Sequence, residues 1–542
     1  MKIKKLFGSV LFMCAVLVAE AQTPVDWHLL SPAKDKVYGA GILEAYRELE
    51  NTTPKRKVVV ALIDAGFDVQ HEALANVLWR NKKEVAGNGK DDDKNGYRDD
   101  LHGWNFLASP DGKLIERTSD EAFRQFLKVK ERFDELHGKE RSDEESNEYI
   151  GYLKFAKNSR LVSLYTGASF NYNIAKGVEE LDRLLREKCP DREPTLEDFA
   201  ALNPIVQQSG DTLQKIAYYT YSIIWSFGNQ NKKWDTLYRN RYRSSEAQRQ
   251  ECEKAWAALV DERSLANDDF NTLSNKYYGN HEFLSAAADE GTAVAGIIAA
   301  TPGVAKGIKG ISDQVELMLI RAVPSSGDAY DKDIALAIRY AVEQGADIIN
   351  ISFGKYMLDN PKWIDDAIAY AEKHDVLIVH SAGDNYRDTE KDPYFPVTQG
   401  QGRKHAFSNI ITVGASDMEG NPYINSNYGA SSVDVFAPGV QLYTTVRGDN
   451  YRKVTGTKIA APVVTGIAAM LKSYYPSLKA SRIKDILVHT ARQTPSATVP
   501  FPHDPTNSEG APTGGYDRLC VSGGIVDAVA AVQLAREICK GK

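Results

Sequence analysis

Apolar residues are laid down along this chain in two formats. The first is a short run nearly free of any polar face. Residues 57–63, 314–320, 347–351, 376–380 and 410–414 are of this kind, rich in Val, Ile and Leu. Strands apolar on both faces suit a parallel sheet covered by helices on each side. Between them, residues 332–344 carry the helical period and stop at Gly345. This alternation predicts an α/β fold with a mostly parallel central sheet. The second format is a stretch of small residues, at 289–300 and 455–471. Such stretches predict buried helices that neighbours approach closely, the latter opened by a tight turn at Gly456.

Residues 109–280 break this rhythm; they are too many for a loop and their pattern is helical. Thr118 and Glu121 have capping-box spacing ahead of Phe123, Phe126, Leu127 and Phe133, with Gly138 as the expected helix end. Thr195 and Asp198 mark a second start, and Ser245 and Gln248 a third, before Trp256 and Leu259. The aromatic run at 217–227 calls for burial, so core packing is expected there. The organisation expected is a discontinuous main domain, residues 22–108 and 281–538, interrupted by a helical insertion at 109–280.

The first residues read as an export signal. Lys2, Lys4 and Lys5 precede an apolar run at 6–19, and Ala19-Glu20-Ala21 has the form of a cleavage site. Residues 1–21 are therefore expected to be a signal peptide, with the mature chain in the periplasm or outside the cell. That run is too short to cross a bilayer, and no later stretch is long enough, so no membrane span is expected. Losing three lysines and one glutamate would take the formal charge from −7 to −9. This balance argues against nucleic acid and anionic membrane as partners. Cys189, Cys252, Cys520 and Cys539 match no metal-site spacing; three disulfide pairings, or plain buried thiols, are open.

Two places offer candidate chemistry. Asp64 ends the first apolar run, and the carboxyl ends of parallel strands are where open α/β sheets hold their sites. Further on, Asp91, Asp93, Asn95, the Tyr97 carbonyl and Asp99 or Asp100 place oxygen donors at alternate positions around Gly96. Hard cations need such donors and such a turn, so a structural Ca²⁺ is the expected ligand. The register matches the first half of an EF-hand loop without its distal glutamate. The plain alternative is an acidic surface turn screened by Lys90, Lys94 and Arg98.

Gly456-Thr457-Lys458-Ile459-Ala460-Ala461-Pro462 resembles the G-T-S-x-A-A-P motif of subtilisin-like serine peptidases, the subtilases. Asp64-Ala65-Gly66 resembles their D-S-G motif, and Glu290-Gly291-Thr292-Ala293 their H-G-T-H helix. Ser381-Ala382-Gly383-Asp384 is similar to A-A-G-N, Ser352-Phe353-Gly354 to a substrate-lining segment, and residues 88–100 to an acidic loop of exported Bacteroidetes-type subtilases. The resemblance covers about residues 25–109 and 280–535. It implies a subtilisin-like three-layer fold, with the 109–280 lobe inserted.

By this resemblance Asp64 is the triad aspartate, Glu290 stands at the histidine, Lys458 at the serine, and Asp384 at the oxyanion asparagine. Acyl transfer needs a nucleophile that a base can deprotonate and a donor aimed at the developing oxyanion. A protonated amine is no nucleophile, and carboxylates around it favour the charged form. The expectation is an exported, catalytically impaired pseudopeptidase whose former active site is an internal ion-pair cluster. Its partner would be a peptide or protein, laid against the Ser352-Phe353-Gly354 edge. One alternative is an active serine-type endopeptidase with a non-standard site. Sedolisins do use glutamate and aspartate at these two positions, but they need another carboxylate where this chain has Val294; Thr455 or Thr457 with Lys458 as base is a further variant. The remaining alternative is a scaffold acting through the helical insertion.

Overall fold

The computed structural model describes residues 24–137, 141–227, 229–257, 259, 261–303, 307–400, 402–494, 496–506 and 510–540. The expected signal peptide and Gly138 lie outside them. Seven strands form one sheet: β1 (Val58–Asp64), β2 (Gly103–Asn105), β3 (Val315–Arg321), β4 (Ile348–Ile351), β5 (Leu377–Ser381), β6 (Ile410–Ser416) and β7 (Val435–Pro438). Their order is β2-β3-β1-β4-β5-β6-β7, and every neighbouring pair is parallel.

The two-sided apolar runs have the use the pattern predicts. From β1, Val58, Val60 and Leu62 enter a core shared with the helices Ala288–Ala299 and Thr457–Tyr474. Ala61 and Ile63 enter a second core with the helices Asp331–Glu343 and Pro361–Lys373. Each fully buried aliphatic side chain of this kind contributes about 1.5–3 kcal/mol. The chain leaves β1 for β2 and β3 on one side and returns to β4 on the other. That reversal opens a crevice at the carboxyl end of β1, where Asp64 sits.

Helices dominate residues 121–257, within the expected insertion, whereas 109–120 and most of 261–280 are turns and irregular chain. The main helices are Glu121–Leu136, Asp143–Asn158, Arg160–Lys188, Thr212–Ser226 and Trp234–Ala257. They enclose two small cores of their own, one around Phe126, Phe133 and Tyr165, the other around Phe199, Trp225 and Trp234. The Thr195–Asp198 capping box is present. The first helix differs from expectation: Asp120 caps it, accepting the Phe123 N–H at 2.7 Å, while Thr118 Oγ1 donates to the Asp328 carbonyl. Ser245 starts no helix; it lies inside Trp234–Ala257, and Leu259 falls beyond that helix. In the aromatic run, Tyr218, Tyr221 and Trp225 are buried, as expected of core residues, whereas Tyr219 and Ile223 on the other face are exposed.

At the junction of lobe and sheet, Lys355 is buried between Glu121 at 2.8 Å and Asp331 at 2.6 Å. Burial works against the Glu121 charge, but Lys355 and Arg124 outweigh it and hold its carboxyl down at about 2. The four cysteines of the described residues are free thiols. Among those residues, no helix is long and apolar enough to cross a membrane.

Candidate functional site

The crevice at the end of β1 is a cavity of about 410 Å³, lined among others by Asp64, Glu290, Ser352, Phe353, Asp384 and Lys458. Four separate elements thus deliver to one place the residues that the sequence singles out. Asp64 ends β1, Glu290 lies in the first turn of Ala288–Ala299, Asp384 follows β5, and Lys458 lies in the first turn of Thr457–Tyr474.

Lys458 Nζ donates to Glu290 Oε2, and each side chain of this pair is about one-third exposed, 33% and 36%. An ammonium group at a helix N-terminus meets the positive end of the helix dipole, so the glutamate offsets an unfavourable placement. Asp384 makes no ion pair with Lys458. Its Oδ1 instead accepts the Thr457 N–H at 2.8 Å, supplying the helix cap that Gly456 has no side chain to make. Gly456, at φ 137°, is required here because a Cβ would lie 2.6 Å from Asp384 Oδ2. The expectation of an internal cluster around Lys458 is thereby corrected. The pair is partly hydrated, and one of the two acids serves the backbone.

Asp64 is 6% exposed and accepts the Ala65 N–H at 2.7 Å. Burial raises its carboxyl to about 7; the Ala65 N–H opposes the rise, Glu290 adds to it, and Lys458 reduces it. Burial likewise pushes Asp384 above the ordinary carboxylate range, against the Thr457 hydrogen bonds and Lys458. Among the described residues no histidine hydrogen-bonds or pairs with Asp64, Glu290 or Lys458.

Two hydroxyls that line the cleft, those of Ser352 and Thr457, are engaged within the chain. Pro462 lacks the N–H that would meet the Lys458 carbonyl, and Ser352 Oγ donates to that carbonyl at 2.9 Å instead. Asn350 donates to Ser352 Oγ, and Thr465 donates to Asn350. Thr457 Oγ1 accepts the Gly383 N–H at 3.0 Å, and Thr455 Oγ1 the Gln441 N–H at 2.9 Å. Neither threonine is aimed at Lys458 as an activated nucleophile would be.

The Ser352-Phe353-Gly354 segment is also partly spent inside the chain. The Phe353 carbonyl lies 3.0 Å from His380 Nε2, and Lys355 exchanges backbone hydrogen bonds with Phe395. Sequence reasoning missed Tyr394. Its ring fills the gap between Gly354 and Gly383, where a Cβ would come within 2.5 and 3.0 Å of it, and it stacks on His380. Only the two facing glycines hinted at a bulky neighbour. A larger cavity, about 600 Å³, lies at the lobe junction, but its acids are already engaged: Glu121 and Asp331 by Lys355, Asp359 by Lys128.

The acidic loop is held by its own backbone. Asp91 accepts the Asn95 and Gly96 N–H groups, and Asp93 accepts the Asn95 N–H and the Asn81 side chain. Asn95 Oδ1 accepts the Tyr97 N–H, and the Tyr97 ring is buried against Trp104 and Tyr340. Asp99 accepts from Asn88 and Gly89; Asp100 accepts from Asn81, Asn95 and Tyr340. Burial raises Asp100 to about 6 despite those three donors. The structure brings Asp91 and Asp93 together with Glu84, a residue outside the alternating pattern, rather than with Asp99 and Asp100.

Among curated relatives, "Thermophilic serine proteinase" of Bacillus sp. (strain AK1) is 36% identical over 185 residues, 34% of this chain and 43% of that protein. Thermitase of Thermoactinomyces vulgaris is 32% identical over 240 residues, 43% of this chain and 80% of that protein. Subtilisin DY of Bacillus licheniformis is 33% identical over 201 residues, 37% of this chain and 69% of that protein. A solved structure, that of the patellamide maturation protease PatA, aligns with a TM-score of 0.36 at 27% identity, over 47% of this chain and 85% of that one. That global likeness is too low to bear on the fold, which the sheet order already defines. The family model described as "Subtilase family" matches residues 55–512, most of the chain. With that match spanning both segments of the sheet and the intervening lobe, the chain belongs to the subtilase family.

Proposed function

We propose that this chain is a subtilase-family pseudopeptidase, a protein that holds extended peptide in its cleft without hydrolysing it. The observation that carries this reading is the Lys458–Glu290 pair at the opening of Thr457–Tyr474. With Lys458 at the nucleophile position and Glu290 at the base position, the paired ammonium has no free lone pair and the glutamate has no hydroxyl to deprotonate. Asp384 presents a carboxylate where acyl transfer needs a hydrogen-bond donor, and it already accepts the Thr457 N–H. Asp64, buried and raised to about 7, has no imidazole to orient.

What remains is a concave site at the end of a parallel sheet, the ordinary place for a ligand in such folds. Its 410 Å³ admits a short stretch of peptide. Export by the first 21 residues and a structural calcium ion in the acidic loop belong to the same reading. The chain spans 43% of the first relative it matches, so nothing of that protein's activity is transferred here.

The test uses the purified full chain with unfolded casein and a fluorophosphonate probe. No fragments and no covalent label are expected. Robust cleavage abolished by Lys458→Ala would overturn the inactive assignment. Hydrogen exchange with added casein peptides should slow at residues 352–354 and 381–384. Protection confined to the helical lobe would replace cleft binding with the scaffold reading.

A further inference from the structure

The helix Thr212–Ser226 is apolar on two opposite faces, and the lobe uses only one of them. Ala217, Tyr218, Tyr221 and Trp225 are buried in the lobe's own core. Ile216, Tyr219, Ile223 and, at the helix end, Phe227 are 36%, 51%, 60% and 77% exposed. Their spacing of three or four residues sets them in one line along the helix, on the side away from that core. Thr212 and Thr220 share this side, so the line carries no charge. Ile205 is exposed beside it, on the helix Asn203–Gln208, which Gln207 ties to the Tyr219 hydroxyl at 2.6 Å. Scattered apolar side chains on a surface are ordinary, but contiguous ones mark a contact. Among the described residues no other helix exposes more than two large apolar side chains.

We propose that this line is a dimer interface, on which the same helix of a second copy of this chain lies antiparallel. The charges at its two ends select that partner. Asp211 caps the helix start, its Oδ1 accepting the Leu213 and Gln214 N–H groups at 2.8 and 3.1 Å. Lys232 follows the helix end, in a turn closed by its own N–H on the Asn229 carbonyl at 2.9 Å. Both are exposed, and neither has an ion-pair partner among the described residues.

A two-fold axis passing between Tyr221 and Ser222 sets Ile216 against Phe227 of the other copy and Thr220 against its Ile223. The same register turns Asp211 toward Lys232. Apolar residues thus meet apolar ones and acid meets base, each pair occurring on both sides of the axis, as a two-fold interface requires. The antiparallel direction also places the positive end of each helix beside the negative end of its mate. A parallel pairing would instead bring Asp211 onto Asp211 and Lys232 onto Lys232. This interface is independent of whether the cleft cuts or merely binds peptide.

Sedimentation equilibrium of the purified full chain, at roughly 1–100 µM, tests it. The mass should climb from that of one chain, 60.0 kDa, toward twice that value. Ile223→Glu should weaken association roughly tenfold or more, and so should Phe227→Ser. The second variant, altered where the side chain is mostly in water, decides should the first not fold. Ile150→Glu, similarly exposed on Asp143–Asn158, should leave association unchanged. Asparagine caps a helix as well as aspartate, so Asp211→Asn removes the charge and keeps the helix start. Asp211→Asn and Lys232→Gln should each weaken association about two- to fivefold, and together no more than either alone. The mass of one chain at every concentration, or an equal loss in Ile150→Glu, would overturn the dimer. Fully additive losses from Asp211→Asn and Lys232→Gln would overturn its antiparallel register. Single copies that sediment with phosphatidylcholine vesicles, but not as Ile223→Glu, would give the line to a lipid surface and refute the proposal.

Discussion

Two lysines of this protein face carboxylates, and their surroundings make them opposites. Lys355 is 4% exposed, lodged between Glu121 and Asp331 and donating also to the Ala329 carbonyl. Lys458 keeps about a third of its side chain in water and has one acid partner, Glu290. In the first case no water remains to rescue a group left behind, so the set must be complete. In the second, solvent screens the pair and its net worth is small. The buried set joins the helical lobe to the sheet; the hydrated pair is not needed to hold anything. Its placement at the opening of Thr457–Tyr474 therefore bears on chemistry in the cleft rather than on folding.

The largest break in this comparison comes from the junction. Lys355→Met should destabilise the chain by about 3–5 kcal/mol, the usual cost of leaving buried partner charges unpaired. Denaturant unfolding measures it. Glu121 is held at about 2, so its contribution is present above its unfolded value and lost as pH falls through about 2. Without Lys355 that acid limb should move to higher pH. A loss under about 1 kcal/mol would mean that the lobe is held by other contacts.

The sequence made the sheet legible because β1 and β3 to β6 are apolar on both faces and little else folds that way. That Asp64, Glu290, Asp384 and Lys458 should share one cleft was implied only by the resemblance of their motifs to those of subtilases; the four do line one cavity. What each group does there was not legible. Nothing in the order of residues says that Asp384 caps a helix, or that Pro462 frees a carbonyl for Ser352. Glu84 and Tyr394 stayed hidden because they act across space from outside any motif. The helical character of residues 121–257 was recognisable by pattern, but helix starts drifted, since capping spacings such as Ser245 and Gln248 also occur inside helices.

Asp64 offers the next largest effect. A buried carboxyl raised from 3.8 to about 7 binds its proton more tightly in the folded state than in the unfolded one. Its contribution to stability is thus present below about pH 4 and is lost as pH rises through about 7. A rise of this size corresponds to at most about 4 kcal/mol. Asp64→Asn keeps an acceptor for the Ala65 N–H and removes the titration, so it should raise the melting temperature at pH 8 and do little at pH 4. An equal effect at both pH values would show that Asp64 is not perturbed. A loss of stability at pH 8 would show that its charge is favourable, as in a site where a cation directly meets it.

The smallest effect sharpens the comparison most. Lys458→Met and Glu290→Gln should each change stability by less than about 1 kcal/mol, and their double-mutant coupling should be of that size or smaller. Coupling above about 2 kcal/mol would make the cleft pair structural, like its buried counterpart, and remove the contrast. The two substitutions should still part company at Asp64. Glu290 raises that carboxyl and Lys458 lowers it, so Glu290→Gln should move its titration below 7 and Lys458→Met above it. Carbon-13 NMR of the Asp64 carboxyl reads both directions in one experiment. Shifts of opposite sign with nearly unchanged stability would show that the pair tunes the cleft without holding the fold together. Shifts of the same sign would mean that the cleft rearranges when either partner is lost, and the near-independence of fold and cleft pair would fail with it.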